Sequence, residues 1–457
     1  MAAVTGWYAG YWDLYRGGQM VNHLVDLHKE YGPIVRCEPN HLHFSSPEVY
    51  STIYNATGKL TKDPNLYLSF GANDSVFTLV DPTIARTRRE VISPMFSRRM
   101  VLSLQPLISG KFRKLCGKFS SYADRDEAAD MASGFRSASI DIITQYCYGE
   151  CLDSLDVEGF KHDILLSIKA TSKAFWVVKY FPMDWILTLP ANLTLRLMPE
   201  LKGFLAVRDN IEAQVKRYMK NPSLLEKSSH PTVYQRFLDP DVKGGIPKAS
   251  ALADEAQNLF FAGSDTVGTT LAFGTYHILT TPGLQEKLFA EICQVWPVLE
   301  EEPTYDQLEK SAYLTAIIKE SLRISHGVVT PLTRVVPASG MTIQDQPIPD
   351  GTVVSMDVPT VHLNPNIFPS PNTFLPTRWL DSNAKDLDKY LVAFSKGSRA
   401  CIGSNLAWAE MYIGFAGVFR RFEMAVWETS KEDMEWMDCF TPITRGDLKV
   451  KFKVRGE

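Results

Sequence analysis

The sequence predicts a mainly α-helical fold with small β-sheets. Two observations support this fold class. Long segments in which apolar residues recur at helical spacing run through the chain, whereas strand-like segments are short and lie mostly near the carboxyl end. The 457 residues contain no internal repeat, low-complexity tract or long linker. We therefore expect one domain that spans residues 1–457.

The predicted elements follow in order along the chain. Residues 21–31 form an amphipathic helix that ends before Gly32 and Pro33, residues 34–44 form two short strands, and residues 47–54 form a helix. Further long helices are expected over 135–148, 201–218, 250–279 and 305–324, and strands over 331–336, 341–343, 352–356 and 448–454. Residues 368–378 are rich in Pro, Phe and Asn and predict an irregular packed loop.

Composition excludes several classes of protein. A net charge of -4 and a pI near 6.2 give no reason to expect a nucleic-acid partner. The seven cysteines are scattered, which is typical of buried thiols in a reducing compartment and not of a disulfide framework. No run of about 18 apolar residues occurs, so the sequence predicts no transmembrane span.

One cysteine lies in a loop of specific composition. Five residue types stand at fixed spacing directly before a predicted helix that starts at Ser404: Phe394, Gly397, Arg399, Cys401 and Gly403. A thiolate is a ligand for a soft metal such as heme iron, and glycines let backbone N–H groups approach the sulfur. A structural cysteine beside a glycine turn is the alternative, but this spacing arises by chance with odds on the order of one in ten thousand.

This loop resembles the heme-binding signature of the cytochrome P450 family, Phe-x-x-Gly-x-Arg-x-Cys-x-Gly, at every fixed position. The resemblance implies the cytochrome P450 fold, heme b (iron protoporphyrin IX) as cofactor, and Cys401 as the metal ligand. It covers almost the whole chain. The segments that begin at Tyr31 and at Lys62 are similar to fungal secondary-metabolism members, including those that act on terpenes.

Glu320 and Arg323 lie three residues apart on one face of a predicted helix. Most pairs with this spacing are solvated surface contacts. By resemblance, however, the two residues match the family's Glu-x-x-Arg, and Arg378 matches its third partner. The implied role of this triad is structural, because in the family it ties the helix to the loop before the cysteine.

Gly263 and Gly268 lie inside a predicted helix, where glycine costs about 1 kcal/mol relative to alanine. Either a flat ligand or a neighbouring helix must therefore approach closely. The segment Ala262 to Thr266 resembles the family's oxygen-activating groove. Asp265 and Thr266 then take the catalytic positions of an acid and an alcohol that relay protons.

Arg89 and Arg334 resemble the family's arginines that bind the heme propionates. Ala85 stands where the family usually has Trp or His, and an ordinary strand-edge arginine is the alternative for Arg334. Residues 86–118 are strongly basic, which indicates either a solvated face or a surface that steers an acidic electron-transfer partner. The basic residues are Arg86, Arg88, Arg89, Arg98, Arg99, Lys111, Arg113, Lys114 and Lys118.

The resemblance implies a heme-thiolate monooxygenase that inserts one oxygen atom from O2 into a hydrophobic small molecule, such as a fungal terpenoid or polyketide. Because no nucleotide-binding glycine loop follows a strand, electrons are expected from a separate NADPH-cytochrome P450 reductase. Residues 328–332, Phe261, Ala262, Phe440 and Thr441 are expected to line the substrate pocket. A lyase or isomerase of the same fold and a non-enzymatic heme-binding protein remain alternatives.

Membrane contact is a further expectation. The apolar residues 175–190 fall where the family has a membrane-dipping helix pair over the substrate channel, although simple core packing explains them equally well. Membrane-bound members carry an N-terminal anchor helix, which is not found here, so we expect truncation or peripheral binding. The resemblance implies the cytosolic face of the endoplasmic reticulum membrane.

Overall fold

The computed structural model describes residues 1–55, 60–172, 175–181, 189–199, 202–382 and 384–456. Helices dominate these residues. The helices are α1 Trp7–Gly10, α2 Met20–Tyr31, α3 Pro47–Ile53, α4 Pro64–Tyr67, α5 Pro82–Ile92, α6 Arg98–Ser103, α7 Gln105–Asp124, α8 Met131–Tyr148, α9 Asp163–Ser172, α10 Phe175–Tyr180, α11 Ala191–Leu197, α12 Lys202–Lys220, α13 Val233–Phe237, α14 Ala249–Thr280, α15 Leu284–Val295, α16 Tyr305–Leu308, α17 Ala312–Ser325, α18 Val358–His362, α19 Ala384–Asp388 and α20 Ser404–Arg421.

The strands are short and form small sheets. They are β1 Ile34–Glu38, β2 His41–Phe44, β3 Thr61–Lys62, β4 Ala129–Asp130, β5 Arg334–Val335, β6 Met341–Ile343, β7 Gln346–Ile348, β8 Val353–Ser355, β9 Phe422–Val426, β10 Trp436–Cys439, β11 Thr441–Thr444 and β12 Lys449–Val454. The largest sheet has the order β1-β2-β8-β5-β3, with β2 and β8 parallel. A second sheet has the order β4-β12-β9, and two hairpins pair β6 with β7 and β10 with β11. The expected fold class is confirmed.

The helix α14 is the centre of the fold, because its 32 residues pack along most of α8. Two glycines make this close crossing possible. A Cβ atom on Gly263 would lie 2.6 Å from Cγ1 of Ile143, and one on Gly268 would lie 2.8 Å from the backbone nitrogen of Arg136. Both glycines therefore serve the crossing of two helices, and Gly263 also borders the interior cavity described below.

Most element boundaries agree with the sequence prediction to within a few residues, but one helix does not. The helix expected over residues 305–324 is two helices, α16 and α17, because the chain turns at residues 309–311. Ser311 caps α17, where its side chain accepts a hydrogen bond from the backbone N–H of Leu314 at 3.2 Å. The strand expected over residues 331–336 is limited to β5. Within the described ranges, no helix is long and apolar enough to cross a membrane.

Candidate cofactor and substrate site

The loop before α20 holds Cys401 at the wall of an interior cavity of about 1150 Å³. The side chain of Cys401 exposes its surface to this cavity, and its backbone N–H donates to the carbonyl of Phe394 at 2.9 Å. Burial raises the pKa of the thiol, whereas the backbone N–H of Gly403 and the guanidinium of Arg89 oppose that rise. A thiolate at this position is thus stabilised by one N–H and one cation.

Gly397 shapes the loop in two ways. Its φ of 75° lies in the left-handed region, which favours glycine. A Cβ atom there would also lie 2.2 Å from the carbonyl oxygen of Asn55, so a larger residue would push the loop away from the residues after α3. Phe394 packs against Trp408 of α20 at 6.3 Å between ring centroids. All five residues of the sequence motif therefore belong to one structural unit.

Four buried or partly buried cations gather beside this loop. Arg399 donates to the carbonyl oxygens of Val76 and Leu79 at 3.1 and 2.6 Å, and burial together with Arg334 and Arg89 lowers its pKa to about 10. Among the described residues, no carboxylate forms an ion pair with any of the four. Because uncompensated buried charges are costly, this arrangement fits a ligand that carries acidic groups. The cations are Lys62, Arg89, Arg334 and Arg399.

Lys62 is the member of this group that the sequence analysis did not assign to the site. Its ammonium donates to the carbonyl of Phe77 and lies 4.0 Å from the centre of the Tyr67 ring. Burial lowers the pKa of Lys62 well below its ordinary value, and Arg399, Arg334 and Arg89 lower it further. The sequence does not show this environment, because Lys62 becomes buried only when β3 pairs with β5.

The two predicted catalytic residues on α14 both line the cavity, but their side chains do not bond to each other. Thr266 Oγ1 donates to the carbonyl of Ala262 at 3.0 Å. Asp265 forms an ion pair with Arg136 at 2.6 Å and accepts from Thr441 Oγ1 at 2.9 Å. Sequence reasoning missed Arg136, although a single arginine in the apolar stretch that became α8 was a signal.

Glu320, Arg323 and Arg378 form a buried cluster. Glu320 accepts two hydrogen bonds from Arg323, at 2.9 and 2.7 Å, and one from Arg378 at 3.2 Å. The backbone N–H of Leu375 and Nε1 of Trp379 each donate to the same carboxylate at 2.8 Å. The cluster therefore joins α17 to the loop after α18, and the surface-pair alternative is wrong.

Aromatic side chains form much of the cavity wall. Phe440 contacts Phe70 at 4.7 Å and Phe175 at 5.8 Å between ring centroids, and Phe204 stacks on Phe261 at 5.6 Å. The residues expected to line the substrate pocket border this cavity, apart from Val329, which is fully buried. Part of the apolar segment 175–190 lies outside the described residues, which exclude 182–188.

The basic run between residues 86 and 118 carries less free charge than its sequence suggests. Arg98 pairs with Asp306 and Glu309, each at 2.5 Å, and Arg113 pairs with Glu302 at 2.7 Å. Lys114 and Lys118 both pair with Asp156. Arg88 lies 3.9 Å from the carboxylate of Glu255. Acids that are distant in sequence therefore neutralise much of this surface.

Comparisons with known proteins agree with this geometry. The family model described as Cytochrome P450 matches residues 3–450. The chain is 33% identical to cytochrome P450 monooxygenase ankB of Aspergillus thermomutatus, over 99% of this chain and 87% of that protein. It is 31% identical to N-acetyltryptophan 6-hydroxylase ivoC of Emericella nidulans, over 100% of this chain and 91% of that protein.

A crystal structure of a cytochrome P450 superposes with a TM-score of 0.78 at 20% identity, and the match covers 95% of this chain and 94% of the other. At this identity the likeness shows the fold alone. The family model and the full-length relatives go further, because both extend across the cysteine loop and the cavity-lining helix. The chain belongs to the cytochrome P450 family.

Proposed function

We propose that this protein is a heme b-dependent monooxygenase that uses Cys401 as its iron ligand and oxidises an uncharged, hydrophobic secondary metabolite. The observation that carries the proposal is the meeting of a thiol and three cations, Lys62, Arg89 and Arg399, at the wall of one interior cavity, with Arg334 close behind them and no carboxylate paired with any of the four among the described residues. A flat, dianionic cofactor with a metal that accepts sulfur fits this set of groups. The family membership and the monooxygenase names of the relatives support the same reaction class.

The residues around the cavity fit heme in charge and in chemistry. Lys62, Arg89, Arg334 and Arg399 would hold the two propionates, and the loop from Phe394 to Gly403 would hold the iron through the thiolate of Cys401. The bound heme supplies the activation of dioxygen, for which the electron-rich thiolate ligand is suited. The triad of Glu320, Arg323 and Arg378 would keep the cysteine loop in register with α17.

The side chains on α14 would manage protons and water. We propose that the hydroxyl of Thr266 turns away from the carbonyl of Ala262 to donate a hydrogen bond toward the oxygen-binding position, since Thr266 borders the cavity. Asp265 would transfer protons to that position. Because its carboxylate is held in an ion pair with Arg136, that pair would have to open before the carboxylate can take up and release a proton. The aromatic wall would exclude water and orient an apolar substrate such as a terpenoid or polyketide.

Electrons would come from NADPH-cytochrome P450 reductase, as is typical of the family. The paired charges between residues 86 and 118 imply that this contact depends on shape as well as on charge. Peripheral contact with the cytosolic face of the endoplasmic reticulum is supported by aromatic side chains that are 41–78% exposed near the amino terminus. These side chains are Trp7, Tyr11, Tyr15 and Phe181.

The two alternatives make different predictions. A lyase or isomerase of this fold needs no reductase, and a heme carrier turns over no substrate. The carbon monoxide difference spectrum of the reduced protein tests the central claim, with Cys401→Ala as the comparison. We expect the red-shifted Soret band of thiolate-ligated heme in the wild type and its loss in the variant. A band typical of histidine ligation, or no bound heme, would refute the proposal.

A further inference from the structure

Two neighbouring amide side chains on α14 border the interior cavity and have no hydrogen-bond partner among the described residues. Gln257 is only 4% exposed, and Asn258 is partly buried. Neither side chain forms a hydrogen bond with any residue in the described part of the chain. Their amide atoms are not sealed from the cavity, and a hydrogen bond between such an amide and a ligand contributes about 0.5–1.5 kcal/mol net. We therefore expect a group of the ligand to supply the hydrogen-bond partner of these two amides.

The surroundings of the two amides restrict the charge of that ligand. The wall next to them is aromatic, with Phe204 stacked on Phe261. The charged side chain of α14 that borders the cavity, Asp265, is already paired with Arg136 at 2.6 Å. A carboxamide offers both a donor and an acceptor, so a neutral hydroxyl or carbonyl group finds a hydrogen-bond partner in either amide without needing a counter-charge.

The position of Asn258 on α14 fixes its distance from Thr266 along the helix. Asn258, Ala262 and Thr266 are spaced by four residues, so they lie along one face of α14. Eight residues at a rise of 1.5 Å separate Asn258 from Thr266 by about 12 Å along the helix axis. A ligand that reaches both ends of this face carries its polar group far from the carbon that lies beside Thr266.

We propose that Gln257 and Asn258 anchor an uncharged hydroxyl or carbonyl group of an otherwise apolar, ring-containing substrate, at the end remote from the oxidised carbon. This inference rests on the proposed function, because Thr266 marks the reacting end only if the cavity holds heme. It narrows the substrate class to neutral molecules that carry an oxygen function before this enzyme acts. An earlier oxidation or an oxygen-retaining cyclisation must therefore supply the substrate.

The test compares para-hydroxybiphenyl with biphenyl, two rigid probes that differ by one hydroxyl. From the hydroxyl-bonded amide to the far ring carbon, the first probe spans about 11 Å, including a hydrogen bond of about 2.9 Å. Affinities for the heme-loaded enzyme come from the Soret shift and, independently, from calorimetry. We expect wild-type enzyme to bind the hydroxylated probe about tenfold more tightly, which is the effect of one net hydrogen bond.

Variants isolate the amides. The double variant Gln257→Met, Asn258→Leu should bind both probes with affinities within about twofold of each other, with biphenyl unchanged. Asn372→Leu makes the same replacement at an exposed position outside the cavity wall and should keep the wild-type preference. Unchanged affinity for imidazole, which binds the iron, would verify that the double variant keeps its heme pocket.

Several results would overturn the proposal. The first is wild-type enzyme that binds para-hydroxybiphenyl no more tightly than biphenyl. The second is a double variant that keeps the wild-type preference for the hydroxylated probe. The third is wild-type enzyme that binds para-phenylbenzoate more tightly than para-hydroxybiphenyl, which would indicate a charged anchor. Failure of the proposed function looks different, because the carbon monoxide spectrum would then lack the thiolate band. Calorimetry would still measure the preference for the hydroxyl in that case.

Discussion

Replacing Glu320 with glutamine removes a charge at the centre of a fully buried polar cluster. The carboxylate and the guanidinium of Arg323 are both 0% exposed, and Arg378 is 5% exposed. Glutamine keeps the shape of the side chain but turns one acceptor oxygen into a donor NH2 group. Two buried guanidinium groups then lose their counter-ion, and at least one N–H faces another donor.

The expected cost follows from these contacts. Removal of one partner from a buried ion pair destabilises a protein by about 3–5 kcal/mol. Arg323 keeps other acceptors, because it also donates to the carbonyl oxygens of His362 and Pro371 at 3.0 and 2.7 Å. We therefore expect Glu320→Gln to lower the free energy of unfolding by about 3 kcal/mol, at the lower end of that range.

Urea unfolding with saturating heme measures this free energy as a shift of the midpoint at unchanged slope. The adjacent residue supplies a matched control. Lys319 pairs with Asp388 at 2.6 Å in a half-exposed position, where the two side chains are 19% and 46% exposed, so Lys319→Gln should cost about 1 kcal/mol or less. A Glu320→Gln variant that unfolds within about 1 kcal/mol of Lys319→Gln would refute the assignment of a buried, charge-dependent cluster.

Three further predictions address other parts of the molecule. Lys62→Met should speed heme transfer to excess apomyoglobin about tenfold, while Lys62→Arg stays near wild type; equal rates for all three would remove Lys62 from the site. Gly268→Ala places a methyl group 2.7 Å from Cγ of Arg136 and should cost about 1–3 kcal/mol in urea unfolding. Gly110→Ala in α7 meets no atom within 4 Å and should stabilise the protein by up to about 1 kcal/mol, because alanine is the better helix former; a loss of stability similar to that of Gly268→Ala would contradict the helix-crossing role. Burial raises the pKa of Glu410 to about 8, opposed by the hydroxyl of Ser139. This pKa is above that of the unfolded chain, so stability falls as the pH rises toward 8, by up to about 1.4 kcal/mol per unit, and Glu410→Gln should flatten that profile.

The sequence predicted local features well because their causes are local. The cysteine motif is a single loop in which glycine is required by the local backbone conformation. The helical spacing of apolar residues was sufficient to predict α14 and α20. The break between α16 and α17 also has a local cause, since Ser311 caps α17. The prediction of one continuous helix missed it because the residues on both sides of Ser311 follow the same helical spacing.

Features that depend on distant contacts could not be predicted. Arg98 is neutralised by Asp306 and Glu309, which lie about two hundred residues away in the sequence. The role of Gly268 became visible only when Arg136 of α8 was found against it. Lys62 reads as an ordinary surface lysine until β3 joins the sheet. In each case tertiary contacts decide burial and charge, and one sequence without its fold does not contain them.

The group of cations beside the cysteine loop has a consequence for the life of the protein in the cell. Without heme, these closely spaced basic groups disfavour one another's charged forms in a poorly solvated space, so the heme-free chain is the less stable form. Ligand linkage then adds stability in proportion to the logarithm of the heme concentration over its dissociation constant. Heme supply would thus control the abundance of the enzyme as well as its activity, because proteases remove chains that unfold most often.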